Sequence, residues 1–97
     1  MTYHLGLLTV DLYIHTSPQS LKEKRMVIKP LKDKIRQTFN VSVSELDSQD
    51  KWQVATLGFA VINRDQRYID GQLSDILSFV ERNSAGALIC EHQIEFY

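Results

Sequence analysis

The sequence predicts one α+β domain in which four strands and two helices follow one another in the order β-α-β-β-α-β. Two observations carry this prediction. Four stretches alternate apolar and polar residues, as half-buried strands do, and two longer stretches repeat apolar residues every three or four positions, as amphipathic helices do. The chain has 97 residues, of which 43% are hydrophobic, enough for one small core. We therefore expect a single domain over residues 1–97, with no linker or internal repeat.

The first strand and the first helix have clear boundary signals. The strand is predicted over Leu5–Ile14, and Pro18 lies in the break that follows it. Ser20 is a typical N-cap residue, and Glu23 three positions later completes a capping box. Pro30 projects about 160° away from the apolar stripe, so we expect it to bend the helix on its solvent side without breaking it. That stripe consists of Leu21, Ile28, Leu31 and Ile35.

The remaining elements follow from the same two patterns. A half-buried strand is predicted over 39–44, a polar turn over 47–51 and a longer strand from Trp52 to Ile62. Asn63 is the predicted N-cap of the second helix, with Gln66 at the capping-box position. The buried stripe of this helix consists of Ile69, Leu73, Ile76, Leu77 and Val80. The last strand is predicted to place five residues on one face: Leu88, Cys90, His92, Ile94 and Phe96.

Right-handed crossover connections leave one simple arrangement for these six elements. The strands form an antiparallel four-stranded sheet in the order 4-1-3-2, and both helices cover the same face. This is the ferredoxin-like fold. The second face of the sheet is expected to be open.

The first helix concentrates positive charge. Residues 22–36 hold seven of the eleven Lys and Arg residues and only two acids, so this segment carries +5 while the whole chain carries −1. At about 100° per residue, five of the bases fall within an arc of about 80°. A polyanion is the natural partner of such a stripe, and RNA is the commonest one inside cells. We call this set the basic stripe: Lys22, Arg25, Lys29, Lys32 and Arg36.

Two interpretations of the basic stripe stay open at this point. It is either a solvated face that keeps the protein in solution or a surface that binds phosphates. We expect its bases to be unpaired along the helix, which leaves their charge available to a partner. Lys24 lies about 200° from Lys22, at the edge of the core. Its ammonium is expected either to reach solvent, to be held by a carboxylate or to meet an anion, and we include Lys24 among the candidate nucleic-acid contacts.

The chain resembles a known family in three runs of residues. These are Ser20-Leu21-Lys22-Glu23-Lys24-Arg25 with the following Val27 to Leu31, Phe39 to Glu45, and Trp52 to Gly58. They are similar to the YlxP-like family, a domain of unknown function. The resemblance implies a small bacterial cytoplasmic protein with the ferredoxin-like fold and no established activity. It also implies that the gene is often near those of translation initiation factor 2 and ribosome-binding factor A, which favours the ribosome or a precursor of it as the partner.

The open face of the sheet suggests a different partner. Its expected apolar residues are Leu5, Leu7, Val54 and Ile89 with Trp52 at the edge, a patch typical of a protein interface. The alternative function is therefore a homo-oligomeric interaction module, a homodimer through the sheet face or edge. Binding of RNA to this face is disfavoured, because it has few aromatic residues and three carboxylates. A small-ligand sensor is a third possibility, although residues 15–19 lack the glycine-rich turn typical of such modules.

Other classes of function have little support in the sequence. The three His residues show no metal-ligand spacing, and the single Cys90 has no partner for a disulfide or a metal site. Cys90 and His92 are expected to be packed side chains of the last strand. We find no catalytic motif or phosphate-binding glycine loop and expect no enzyme activity, cofactor or metal. No apolar run is long enough to span a membrane, so we expect a cytoplasmic protein.

Overall fold

The computed structural model describes residues 1–48 and 50–97 and has the predicted order of elements. The predicted polar turn at 47–51 includes Gln49, which lies outside the described residues. The elements are β1 (His4–Ile14), α1 (Leu21–Thr38), β2 (Ser42–Asp47), β3 (Val54–Asn63), α2 (Gln66–Asn83) and β4 (Ala87–Phe96).

All four strands pair antiparallel in one sheet, in the order β2-β3-β1-β4. This is the predicted order 4-1-3-2 viewed from the other side, so the ferredoxin-like fold is confirmed. The central strand β1 pairs with β3 from His4 to Tyr13 without interruption. The edge strands β2 and β4 each contain one irregularity in their register.

The hydrophobic core lies between the sheet and the two helices. β1 contributes alternate residues from Leu8 to Ile14, and α1 contributes the predicted stripe except Leu21, which is only partly buried. In α2 the predicted stripe is buried except for Leu77, which packs partly against the core. The largest fully buried side chain is Phe59 of β3. Because both helices place their apolar residues on the same sheet face, their opposite sides, including most of the basic stripe, face solvent.

Several predicted boundaries were wrong: the second strand ends at Asp47 and not at residue 44, and the third begins at Val54 and not at Trp52. Two further differences have a clear physical reason. The second strand begins at Ser42, because Phe39 is the C-cap of α1 and packs edge-to-face on Phe79 of α2, with ring centroids 5.6 Å apart. The N-cap of α2 is Asp65, whose carboxylate accepts a hydrogen bond from the backbone N of Arg67 (3.0 Å). Asn63 instead accepts from the backbone N of Asp65 (2.9 Å) and so supports the turn that precedes the helix.

The predicted faces of β4 were wrong in the first half of the strand. A β-bulge interrupts the register between β1 and β4: Asp11 pairs with Glu91, but Leu12 pairs with Ile89. One extra residue, Cys90, therefore separates the two halves of the strand, and a one-residue slip moves side chains to the other face. Ile89 packs against the core, and Leu88 is 59% exposed opposite Tyr13.

The expectation that Cys90 and His92 are packed was also wrong, because both side chains are exposed. β4 is an edge strand, and Cys90 is the extra residue of its bulge. Only Ile89 and Ile94 on this strand are partly buried hydrophobic residues against the core.

Candidate nucleic-acid interface

The start of α1 is defined by reciprocal hydrogen bonds. Ser20 Oγ accepts from the backbone N of Glu23 (3.2 Å), as the capping box predicts. The Glu23 carboxylate accepts from the backbone N of Gln19 (2.6 Å), one residue before the N-cap. The helix continues through Pro30, which is exposed as predicted. The rotation of α1 on the sheet follows from its buried residues Ile28, Leu31 and Ile35, and it directs the basic stripe away from the core.

Four of the five stripe residues line one surface groove. The groove has a volume of about 280 Å³ and lies along α1 on the side next to β2. Its lining consists of Arg25, Ile28, Lys29, Lys32, Asp33, Arg36 and Glu45, and we call it the basic groove. Lys22 is exposed near the start of the helix and is not part of this lining. The basic groove is thus a concave surface with four cationic and two acidic side chains.

The expectation that the stripe is unpaired along the helix was wrong. Lys29 Nζ lies 2.7 Å from Asp33 Oδ2, an ion pair between positions i and i+4. Arg36 Nη1 lies 3.6 Å from the other carboxylate oxygen of Asp33. Asp33 therefore neutralises part of the charge of the groove. The pairs are solvent-exposed, with 72% of the Lys29 side chain accessible, so both cations remain able to contact a ligand.

The bases of the groove change the protonation of Asp33. The hydrogen bond from Lys29 holds the pKa of the Asp33 carboxyl below its ordinary value of 3.8, and the charges of Arg36 and Lys32 act in the same direction. Desolvation of the carboxylate opposes them. Because its pKa is lowered, Asp33 carries its negative charge throughout the neutral range.

Arg36 also joins α1 to the edge of the sheet. Its Nη2 donates a hydrogen bond to the backbone carbonyl oxygen of Val43 in β2 (3.0 Å). This contact fixes the guanidinium at the C-terminal end of the basic groove and leaves the side chain 47% exposed. Arg36 therefore has a structural role besides any contact with a ligand.

Lys24 lies apart from the other predicted contacts. Its side chain is 3% exposed, and its Nζ lies 2.8 Å from Glu45 Oε2. The same ammonium donates to the backbone oxygen of Ser48 (2.6 Å). This matches the second of the three possibilities in the sequence, a lysine held by a carboxylate. With its ammonium inside the protein, Lys24 is left out of the surface that we propose below.

The open sheet face differs from its predicted composition. Leu88 takes the place predicted for Ile89, opposite Tyr13, which in turn lies opposite Val54. The centre of this face is polar: Thr56 Oγ1 donates to Asp11 Oδ1 (2.8 Å), and Asp11 is opposite Glu91. The apolar residues therefore form two separate groups at the ends of the strands, with carboxylates between them.

The described part of the chain has neither a metal-ligand cluster nor a membrane-spanning helix. None of its His, Cys, Asp and Glu side chains form a group of three or more suited to holding a metal ion. None of its helices is long and apolar enough to cross a membrane.

Comparison with known proteins places this architecture in a family. The sequence profile of the family described as "Protein of unknown function (DUF503)" matches residues 5–93. The chain belongs to the DUF503 family. The resemblance of its three sequence runs to YlxP-like proteins is thereby confirmed.

The chain is also similar to a protein from Bacillus subtilis (strain 168) described as "Uncharacterized protein YlxP". It is 37% identical to this chain over 62 residues, which cover 64% of the chain and 67% of the relative. Among solved structures, the de novo designed protein Foldit4 has the same fold, with a TM-score of 0.52, 13% identity and 96% of each chain covered. At that identity the similarity to Foldit4 concerns the fold alone. The basic groove is therefore interpreted from its own chemistry.

Proposed function

We propose that this DUF503 protein binds RNA through the basic groove, with Arg25, Lys29, Lys32 and Arg36 as phosphate contacts and Lys22 as an outlying one. The observation that supports this most strongly is the gathering of four cations in one concavity next to the edge of the sheet. Guanidinium and ammonium groups neutralise phosphates without reading base edges. We favour the RNA of the ribosome, or of a precursor of it, as the partner.

The groove supports backbone recognition rather than sequence recognition. Among the described residues of its lining, none is aromatic and able to stack on a base, and Ile28 is the one apolar residue. Contacts of this kind release counterions, so affinity falls steeply as salt rises. We therefore expect binding that tolerates many RNA sequences and depends strongly on ionic strength.

The charge distribution of the molecule also favours this orientation. The opposite side of the sheet carries Asp11, Glu91 and Glu95 on its open face, where they repel phosphate. An approaching polyanion is therefore directed to the helix side. The net charge of −1 does not reveal this asymmetry, because the basic and acidic sides nearly cancel.

The proposal is tested by neutralising the groove without disturbing the fold. Arg36 is kept because it bonds Val43, and Arg25, Lys29 and Lys32 are replaced by Gln together. The matched control replaces three exposed bases outside the groove, Lys34, Arg64 and Arg82, so both variants have the same net charge. Binding to ribosomal subunits and to total RNA is measured at several salt concentrations.

The groove variant should lose about tenfold or more in affinity, and its salt dependence should fall by about two in the slope of log K against log salt. The control variant should keep most of the affinity and most of the salt dependence of the wild type. Equal losses in the two variants would show that only net charge matters. No binding by the wild type at low salt would remove the RNA proposal and direct the search to an acidic protein partner.

A further inference from the structure

The two edges of the sheet are protected to different degrees. β2 is six residues long, contains a bulge between Glu45 and Asp47, and has an outward carbonyl, that of Val43, occupied by Arg36. β4 is ten residues long and contains no Lys, Arg or Pro. Natural proteins use such charges, prolines and bulges to prevent an edge from pairing with another chain. Between Glu91 and Phe96, β4 has no bulge and no proline, and its only charged side chains are Glu91 and Glu95, which lie on the open face of the sheet.

The direction of the β4 backbone groups follows from its pairing with β1. Leu5 and Tyr97 exchange two backbone hydrogen bonds, of 3.0 and 2.8 Å. In an antiparallel pair such residues alternate with others that point away, so His92, Ile94 and Phe96 direct their N–H and C=O groups to the free edge. Among the described residues, none forms a hydrogen bond to these outward groups. They are ready to pair with another strand.

We propose that β4 pairs antiparallel with β4 of a second copy of this chain, with a two-fold axis at Ile94. Ile94 then lies opposite Ile94, and His92 lies opposite Phe96, so about six backbone hydrogen bonds join the copies. The four strands of each copy become one eight-stranded sheet. The interface is isologous, as expected of a two-fold dimer.

Charge selects this register over its neighbours. With the axis at Gln93, Glu91 would lie directly opposite Glu95 of the other copy, and like charges in that position are unfavourable. With the axis at His92, the bulge residue Cys90 would have to pair with Ile94. With the axis at Ile94, Glu95 lies opposite Gln93, and the bulge stays outside the paired segment.

A shallow surface depression lies beside β4, at the position to which this register brings His92 of the second copy. It has a volume of about 400 Å³ and is lined by Gln66, Arg67, Asp70 and Phe96. His92 of the second copy, opposite Phe96, lies at this depression on the helix side of the sheet. The carboxylate of Asp70 offers an acceptor to that imidazole.

The dimer has a consequence for the position of the basic grooves, although it does not depend on RNA binding. A two-fold axis perpendicular to the sheet keeps all helices on one side. α2 contacts β4, whereas α1 contacts β2, so the two α1 helices lie at opposite ends of the dimer. Eight strands spaced about 4.8 Å apart separate the two outer edges by about 34 Å.

The first test uses two substitutions of one residue. His92→Pro removes an outward N–H without touching the bonds to β1, and His92→Ala removes the same side chain but keeps the donor. In sedimentation over a wide range of protein concentration, the wild type and His92→Ala should dimerise. His92→Pro should dimerise about thirtyfold more weakly, because two intermolecular hydrogen bonds are lost by symmetry. Circular dichroism and the midpoint of urea unfolding verify that each variant is folded.

The second test determines the register of the two β4 strands. Its variants all carry Cys90→Ser, so that each chain has a single cysteine. Ile94→Cys places two sulfurs across the axis at a Cα separation of about 5.5 Å, suitable for a disulfide between copies. His92→Cys lies opposite Phe96 and should not cross-link. A monomeric wild type at every concentration would overturn the proposal. So would a dimer that is insensitive to His92→Pro and does not cross-link through Ile94→Cys, since it would use another surface such as the open sheet face.

Discussion

The ammonium of Lys24 lies 2.8 Å from a carboxylate oxygen of Glu45, and this ion pair joins α1 to the edge strand β2. The same ammonium donates to the backbone oxygen of Ser48, a residue in the left-handed region with φ of 64°. Both of these partners lie at the end of β2 or in the turn after it. The pair stabilises the contact between the helix that carries the basic groove and the strand that forms its far wall.

Replacement of Lys24 should destabilise the protein. Lys24→Met keeps the apolar stem but removes the ammonium from beside a carboxylate that is only 19% exposed, which should cost about 3 kcal/mol of unfolding free energy. Lys22→Met, two residues earlier and exposed, should cost less than about 0.5 kcal/mol. Urea unfolding at pH 7 measures both.

The same pair of variants separates stability from RNA binding. Where Lys24→Met is folded, its RNA affinity should equal that of the wild type, because the Lys24 side chain is only 3% exposed. A tenfold loss in the folded variant would return Lys24 to the contact surface.

Asp33 should limit the affinity of the basic groove for RNA. Asp33→Asn removes the carboxylate that pairs with Lys29 and Arg36, so the net positive charge of the groove rises by one unit. RNA binding at low salt should become tighter, and the salt slope should increase by about one. Asp75→Asn, at an exposed position on α2, is the matched control for overall charge. Equal gains in the two variants would contradict a specific role for the groove.

The lowered pKa of Asp33 predicts a defined pH dependence of stability. Because the folded-state pKa is below the ordinary 3.8, the carboxylate contributes stability above pH 3.8 and loses it as pH falls through the lowered value. Stability differences between the wild type and Asp33→Asn should be constant near neutral pH and shrink in acid. Since the hydrogen bond from Lys29 is the largest cause, Lys29→Gln should raise the pKa, as measured by NMR titration of the Asp33 carboxyl carbon. Lys34→Gln should leave it where it is, and an unchanged titration in Lys29→Gln would assign the shift to another group.

Local signals predicted the parts of the fold that depend on nearby residues. The Ser20 cap and the apolar stripe of α1 involve neighbours within one or two helical turns, and both are present. The pairing of Lys29 with Asp33 is equally local, since the two residues are four positions apart, but the expectation of an unpaired stripe did not include it. The side-chain bond from Arg36 to Val43 had none, because it depends on how the helix sits against the strand.

The bulge in β4 was hidden by two adjacent apolar residues. Leu88 and Ile89 fit either phase of alternation, so the first half of the strand gave no preference between faces. In the second half of the strand, the apolar residues Ile94 and Phe96 both occupy even positions. They therefore determine which side chains face the helices in that half, but not in the first half. Ile89 was therefore predicted on the open face, as part of one apolar patch, whereas it packs against the core.

Two glycines of the sheet should respond differently to a methyl group. A Cβ on Gly6 would clash with Ile69 and Leu73, two fully buried side chains of α2. The three atoms nearest to a Cβ on Gly58 all belong to Leu46, which is 48% exposed and therefore able to change rotamer. Gly6→Ala should therefore cost about 1 to 3 kcal/mol, and Gly58→Ala less than about 1 kcal/mol. Urea unfolding compares them, and equal costs would mean that Leu46 is held as firmly as the core, which would make the open sheet face a packed surface in solution.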